Sequence, residues 1–165
     1  MTEAKADFVG THKYPFFKAS LRLWSYSEPL EPVIPALGSH WPHLDVKGQL
    51  IPARGRVKAH FAPQHYASSE DIKDTNIENI VAVISQWLDN IERCAPPTAT
   101  LVKAGKIEAV IWVALFGYDP VIPPELPVEL EIRAKKAGVK VFIENYTIMD
   151  EETGAPAKRF FGAED

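Results

Sequence analysis

Residues 109–116 read Ala-Val-Ile-Trp-Val-Ala-Leu-Phe, eight apolar side chains in succession. Successive side chains of a strand point to opposite faces, so Val110, Trp112, Ala114 and Phe116 oppose Ile111, Val113 and Leu115. Such a strand must be covered on both faces. This is the longest apolar run in the chain, far short of the roughly 18 residues that indicate a membrane helix. No membrane association is expected.

Upstream, Asn76 to Arg93 carries Ile77, Ile80, Val81, Ile84, Trp87, Leu88 and Ile91 at helical spacing, one apolar stripe. Thr75 and Glu78 have the spacing of a capping box. Pro96 and Pro97 close this helix, and Thr98 to Lys103 with Ile107 to Phe116 predict a hairpin about Ala104 and Gly105. Downstream, Pro124 to Ala137 predicts a helix ended by Gly138, with Leu126, Leu130, Ala134 and Ala137 inward and Val128 and Ile132 on the other side. Val139 to Ile148 predicts the last strand.

Towards the N-terminus, Val57, Ala59 and Phe61 alternate with Lys58 and His60, a half-buried strand. Phe16 to Trp24 alternates likewise. Leu30 to Leu37 predicts a short helix, with Ser27 as its N-cap and Gly38 as its stop. The segments 38–55 and 62–74 show no period and are expected to be loops.

From Arg56 the order is strand, helix, strand, strand, helix, strand. It predicts an α+β fold, a ferredoxin-like split βαβ two-layer sandwich with an extra N-terminal strand and short helix. Residues 1–15 are expected to be a flexible N-terminus, 16–149 one domain and 150–165 a tail. A ferredoxin-like sheet has helices on one face, so the other face of residues 109–116 needs cover from the N-terminal strand and tail or from a second subunit.

A chain of 165 residues with 46% hydrophobic and 24% charged content suits one globular domain that needs no disulfide or metal. Cys94 is the sole cysteine, which excludes an internal disulfide and a multi-thiol zinc site. The opening residues Met1 to His12 include Glu3 and Asp7 and lack the apolar stretch of a secretion signal, so a cytoplasmic location is expected. A formal charge of −4 with dispersed cations argues against nucleic acid.

No phosphate-cradling glycine loop, nucleophile elbow or His-Glu-x-x-His helix occurs. The expectation leans away from an enzyme, and no cofactor is expected. The long 38–55 segment is the preferred ligand-binding site, since structureless loops above about 12 residues are usually functional or disordered. Its candidates are His40, Trp41, His43, Asp45, Lys47, Arg54 and Arg56. His40, His43 and Asp45 have metal-compatible chemistry, although solvated loop histidines around a packed Trp41 are the preferred account, since irregular backbone interrupted by Pro42 fixes no common aim. Lys47, Arg54 and Arg56 hold a carboxylate or phosphate if they converge, and are ordinary surface charge if they do not. His60, His65 and Cys94 show no partner that would activate them. Trp24, Trp87 and Trp112 are expected in the core.

The stretch Ala19 to Trp24 (Ala-Ser-Leu-Arg-Leu-Trp), Leu37-Gly38, Pro42, Lys47-Gly48 and Lys136 to Tyr146 (Lys-Ala-Gly-Val-Lys-Val-Phe-Ile-Glu-Asn-Tyr) together resemble a bacterial family named domain of unknown function 4279. The resemblance spans Phe16 to Tyr146 and implies no activity, cofactor or catalytic residue. The functional expectation is a binding or interaction protein with a protein partner or a second copy, by analogy an immunity-like protein that neutralises a toxin. The alternative is a small-molecule or metal-dependent enzyme using the 38–55 loop.

Overall fold

The computed structural model describes residues 16–38, 40–94, 96–117 and 124–147, with Cys94 and Pro96 described by backbone alone. The expected N-terminal extension 1–15 and tail 150–165 lie outside them. Eight strands are present among these residues: β1 Phe16–Ser25, β2 His43–Asp45, β3 Leu50–Ile51, β4 His60–Phe61, β5 His65–Ser68, β6 Ile72–Asp74, β7 Glu108–Gly117 and β8 Lys140–Thr147. Three α-helices join them: α1 Ile77–Asp89, α2 Pro96–Lys103 and α3 Val128–Lys136.

The main sheet has the order β2-β5-β1-β7-β8, with β6 also paired to β1. β7 is antiparallel to β1, from Phe16 opposite Phe116 to Trp24 opposite Glu108, and parallel to β8. Its backbone is thus laddered on both sides. Phe17, Ala19, Leu21 and Leu23 of β1 and Ala109, Ile111, Val113 and Leu115 of β7 form one buried layer with Ile80, Ile84, Trp87 and Leu88 of α1. Leu130 and Ala134 of α3 complete it. The described helices therefore lie on one face, because their apolar stripes and these alternate strand positions need each other for burial. Arg133 of α3 binds Asp89, Glu92 and the Ser85 hydroxyl, fixing α3 against α1 and the turn after it.

The α+β class is established, and β1 and β8 occupy their predicted places; α1 and α3 form where predicted but are shorter, α1 ending at Asp89 rather than Arg93 and α3 starting at Val128 rather than Pro124. The ferredoxin-like arrangement is not confirmed, because the expected hairpin at residues 98–116 does not form. Residues 98–103 are helical: Pro96 and Pro97 begin α2, as proline favours a first helical turn, and Thr98 and Val102 bury themselves four residues apart. The short N-terminal helix is only a 3-10 turn, Ile34–Leu37, which follows Val33 rather than a Ser27 cap and ends at Gly38 with φ 62°. At α1 the cap is Asn76, whose Oδ1 accepts from the Glu78 amide at 2.9 Å, so the Thr75 capping box is not used.

Three further segments depart from expectation. Residues 38–55 are not wholly irregular, since β2 extends the sheet and β3 pairs with β4. The strand expected over residues 57–61 shrinks to β4, which is exposed and outside the main sheet. The expected loop 62–74 holds β5 and β6, which form one interrupted neighbour of β1. Ser69, Glu70 and Asp71 stand opposite Ser20 and Leu21, three residues against two, a bulge. Ser69 repairs the ladder: its amide donates to the Leu21 carbonyl at 2.9 Å and its Oγ accepts from the Leu21 amide at 2.9 Å.

Ser69→Ala leaves the buried Leu21 amide without that acceptor and is expected to cost about 1–3 kcal/mol in urea unfolding. Ile111→Ala, in the fully buried layer, is expected to cost about 2–5 kcal/mol. Exposed Ser27→Ala should stay within about 0.5 kcal/mol, and equal midpoints for all three variants would contradict this packing.

Candidate functional site

The sheet face opposite the helices is built from alternate positions. β1 contributes Phe16, Lys18, Ser20, Arg22 and Trp24; β7 contributes Val110, Trp112, Ala114 and Phe116; β8 contributes Lys140, Phe142, Glu144 and Tyr146. Val110 and Ala114 are buried there and Trp112 and Phe116 half-buried, so both sides of the apolar strand are shielded as its sequence requires. On this side, however, no described helix lies over the sheet. The shield is side chain upon side chain: Phe16 stacks on Phe116 at 4.8 Å between centroids, Phe116 stacks on Tyr146 at 5.0 Å, and Trp112 meets Tyr146 edge-on at 6.5 Å. The Arg22 guanidinium sits 4.3 Å above the Trp112 ring. Further along, Trp24 contacts Tyr66 at 5.1 Å and Tyr66 contacts His43 at 5.3 Å, so an aromatic layer crosses the sheet from β2 to β8.

Within this layer lies an open groove of about 370 Å³ lined by Arg22, Trp24, Gln64, Val110, Trp112 and Phe142, with Glu108 and Glu144 at its margin. Phe142 is 54% exposed and Tyr146 42% exposed. Glu144 organises one end: it accepts from the Tyr146 hydroxyl at 2.6 Å and from Trp112 Nε1 at 2.7 Å. The Tyr146 bond, then the Trp112 bond, hold its carboxyl below the ordinary carboxylate value, with a smaller contribution from Arg22. The same bond to Glu144 raises the Tyr146 phenol above its usual value. Glu108 is paired with Lys140 at 2.9 Å. The groove thus presents aromatic surface flanked by fixed charges of both signs, and its described lining residues include no nucleophile with an attendant base.

The residues nominated from sequence do not converge. His43 Nε2 lies 3.1 Å from Asp45 Oδ2, whereas at His40 the backbone carbonyl accepts from the Glu70 amide at 2.6 Å. Among the described residues, no group of three His, Cys, Asp or Glu stands where it could hold one metal ion. Trp41 packs partly against the core and donates Nε1 to the Gly38 carbonyl at 2.8 Å. Lys47 lies over the Tyr26 ring, 3.3 Å from Nζ to the centroid, while Arg54 and Arg56 stand at the tip of the β3–β4 hairpin. The three cations therefore form no common anion site. His60 is exposed and contacts the Lys58 carbonyl at 3.0 Å; His65 Nδ1 accepts from the Lys47 amide at 3.2 Å. Trp87 is a core residue as expected, but Trp24 and Trp112 belong to the open face.

Sequence reasoning passed over Phe142, Glu144 and Tyr146. Their signal was available: along 140–146 the outward positions alternate Lys, Phe, Glu, Tyr, aromatic where a solvated face is normally polar. Neither a family model, nor a curated protein, nor a solved structure matches this chain. Among the described residues no helix is long and apolar enough to cross a membrane.

A carboxylate with a lowered folded value contributes its stability above the ordinary range near pH 4 and loses it as pH falls through the lowered value. A phenol with a raised value contributes below about pH 10 and loses it as pH rises through the raised value. In Glu144→Gln the Tyr146 phenol should therefore titrate closer to about pH 10 than in the parent. Phenolate absorbance, with Tyr146→Phe subtracted to isolate this tyrosine among the five, reads the difference. Superimposed curves for parent and variant would refute the pairing.

Proposed function

We propose that this chain is a protein-binding module whose recognition surface is the aromatic face of its sheet. The observation that carries this reading is the exposure of Phe142 and Tyr146 beside Trp112 on a face that no described helix covers. Aromatic residues and arginine are the types that most often dominate binding energy at protein interfaces, and Arg22, Trp24, Trp112, Phe142 and Tyr146 supply them together. The open groove favours protruding side chains over an enclosed small molecule. Toxin neutralisation in the manner of an immunity protein, and membership of domain of unknown function 4279, belong to the same proposal and add no residue roles. The competing reading, a metal-dependent enzyme on the 38–55 loop, has only the His43–Asp45 pair behind it.

Immobilised wild-type protein should retain a specific macromolecule from the native host's extract, and Phe142→Ala/Tyr146→Ala should lose it while melting at the same temperature. Retention that is indifferent to this double change, or no retention at all, would remove the sheet face from consideration. Untagged protein that binds zinc stoichiometrically, and loses it in His43→Ala, would favour the enzyme reading instead.

A further inference from the structure

Arg22 lines the groove on the open face, and its place on β1 is opposite Val110 of β7 on one side and Ser68 of β5 on the other. The side chain is half-buried and held at two points. Its Nε donates at 3.2 Å to the hydroxyl of Ser20, itself fully buried, and its guanidinium lies 4.3 Å from the centre of the Trp112 ring. With Nε engaged, the edge that carries Nη1 and Nη2 is left, and among the described residues it meets no acceptor. That edge can take a carboxylate through two parallel hydrogen bonds.

The neighbouring charges are engaged elsewhere. Lys18, on the same face of β1, pairs with Asp71 at 3.1 Å, and Glu108 pairs with Lys140 at 2.9 Å. Glu144 receives the Tyr146 hydroxyl and Trp112 Nε1 on its Oε2; it feels the charge of Arg22 but makes no ion pair with it. Arg133, on the helix side, is the contrasting case, because it bonds two carboxylates, Asp89 and Glu92, as well as the Ser85 hydroxyl. Arg22 has the serine and no bonded carboxylate.

A partner that covers the groove takes water away from Arg22. Burying a guanidinium whose Nη groups lack acceptors is costly, so the covering surface has to bring an acceptor of its own. A carboxylate serves better than a neutral carbonyl, since charge-assisted hydrogen bonds are about twice as strong. Phosphate matches less well, because Glu108 and Glu144 at the margin repel a dianion more than a monoanion. Those two glutamates balance Arg22 and Lys140 in charge, so recognition comes from short-range bonding rather than long-range steering. Resting on the reading of this face as a protein-binding surface, we infer that Arg22 is its specificity anchor. The partner docks an Asp or Glu side chain on the Nη edge and, beside it, an apolar side chain in the groove lined by Trp24, Trp112 and Phe142.

Random peptides displayed through their C-termini present acidic side chains but no terminal carboxylate, and selection on the immobilised full chain tests the inference. Peptides with Asp or Glu next to an aromatic or aliphatic residue should be enriched. For a selected peptide made with both ends blocked, replacing that carboxylate by its amide should weaken binding at least about tenfold in calorimetry. Arg22→Gln should select apolar peptides without acidic preference, and Arg22→Lys, which keeps the charge but not the planar fork, should lose most of the tenfold. Arg22 also covers Trp112, so the amide comparison on the unaltered chain decides the matter should Arg22→Gln not fold. Apolar enrichment with no acidic preference on the parent, lost on Phe142→Ala/Tyr146→Ala, overturns the acidic anchor and leaves the binding face standing. Equal acidic enrichment on Arg22→Gln overturns the anchor as well, and enrichment of Lys and Arg overturns it in favour of a basic partner held by Glu108 and Glu144. No enriched peptide at all removes both this inference and the reading beneath it.

Discussion

Strand β7 is the constraint on which the rest of the molecule depends. Its backbone is bonded to β1 on one side and β8 on the other, and its side chains are shielded above and below. The helix-side cover is supplied by α1 and α3, whose apolar stripes have nowhere else to go. The opposite cover is supplied by the aromatic and cationic side chains of neighbouring strands, and two of the rings involved remain substantially open to solvent. One requirement imposed by eight consecutive apolar residues thus accounts for both the core and the surface that distinguishes this protein.

That requirement was legible in residues 109–116, and so was the helix at Ile77–Asp89, because both rest on long patterns of burial. The errors fell where patterns were short. Thr98 to Leu101 alternates polar and apolar side chains over too few residues to separate a strand from a helix, and the two prolines before it suit a helix start as well as a helix stop. His65–Ser68 and Ile72–Asp74 were invisible because the bulge at Ser69 shifts the alternation by one residue between them. The Val57 to Phe61 alternation predicts a half-buried strand, yet period alone does not say that anything lies against the apolar side, and both residues are exposed.

The candidate site was less legible than the fold. Irregularity drew attention to residues 38–55, but the backbone there is partly paired, at His43–Asp45 and Leu50–Ile51, and its nominated side chains are dispersed. The open aromatic face is assembled from three strands far apart in sequence, and only the register of β1, β7 and β8 brings Arg22, Trp112 and Glu144 together. No local motif encodes such a constellation. What the sequence did contain was the unusual chemistry of the outward positions in 140–146, a signal visible once that strand's inner face is assigned to Val141 and Ile143.

β8 is also the last strand of the main sheet, and among the described residues nothing is laddered to its far side. In an edge strand, every second amide points away from its only neighbour, towards the surroundings. Deuterium uptake along Lys140–Thr147 is therefore expected to alternate between slow and fast from one residue to the next, whereas residues 110–116 of β7, laddered on both sides, are expected to be protected without alternation. Lys140 and Glu144 add charge to this rim, which discourages stray strands from joining it.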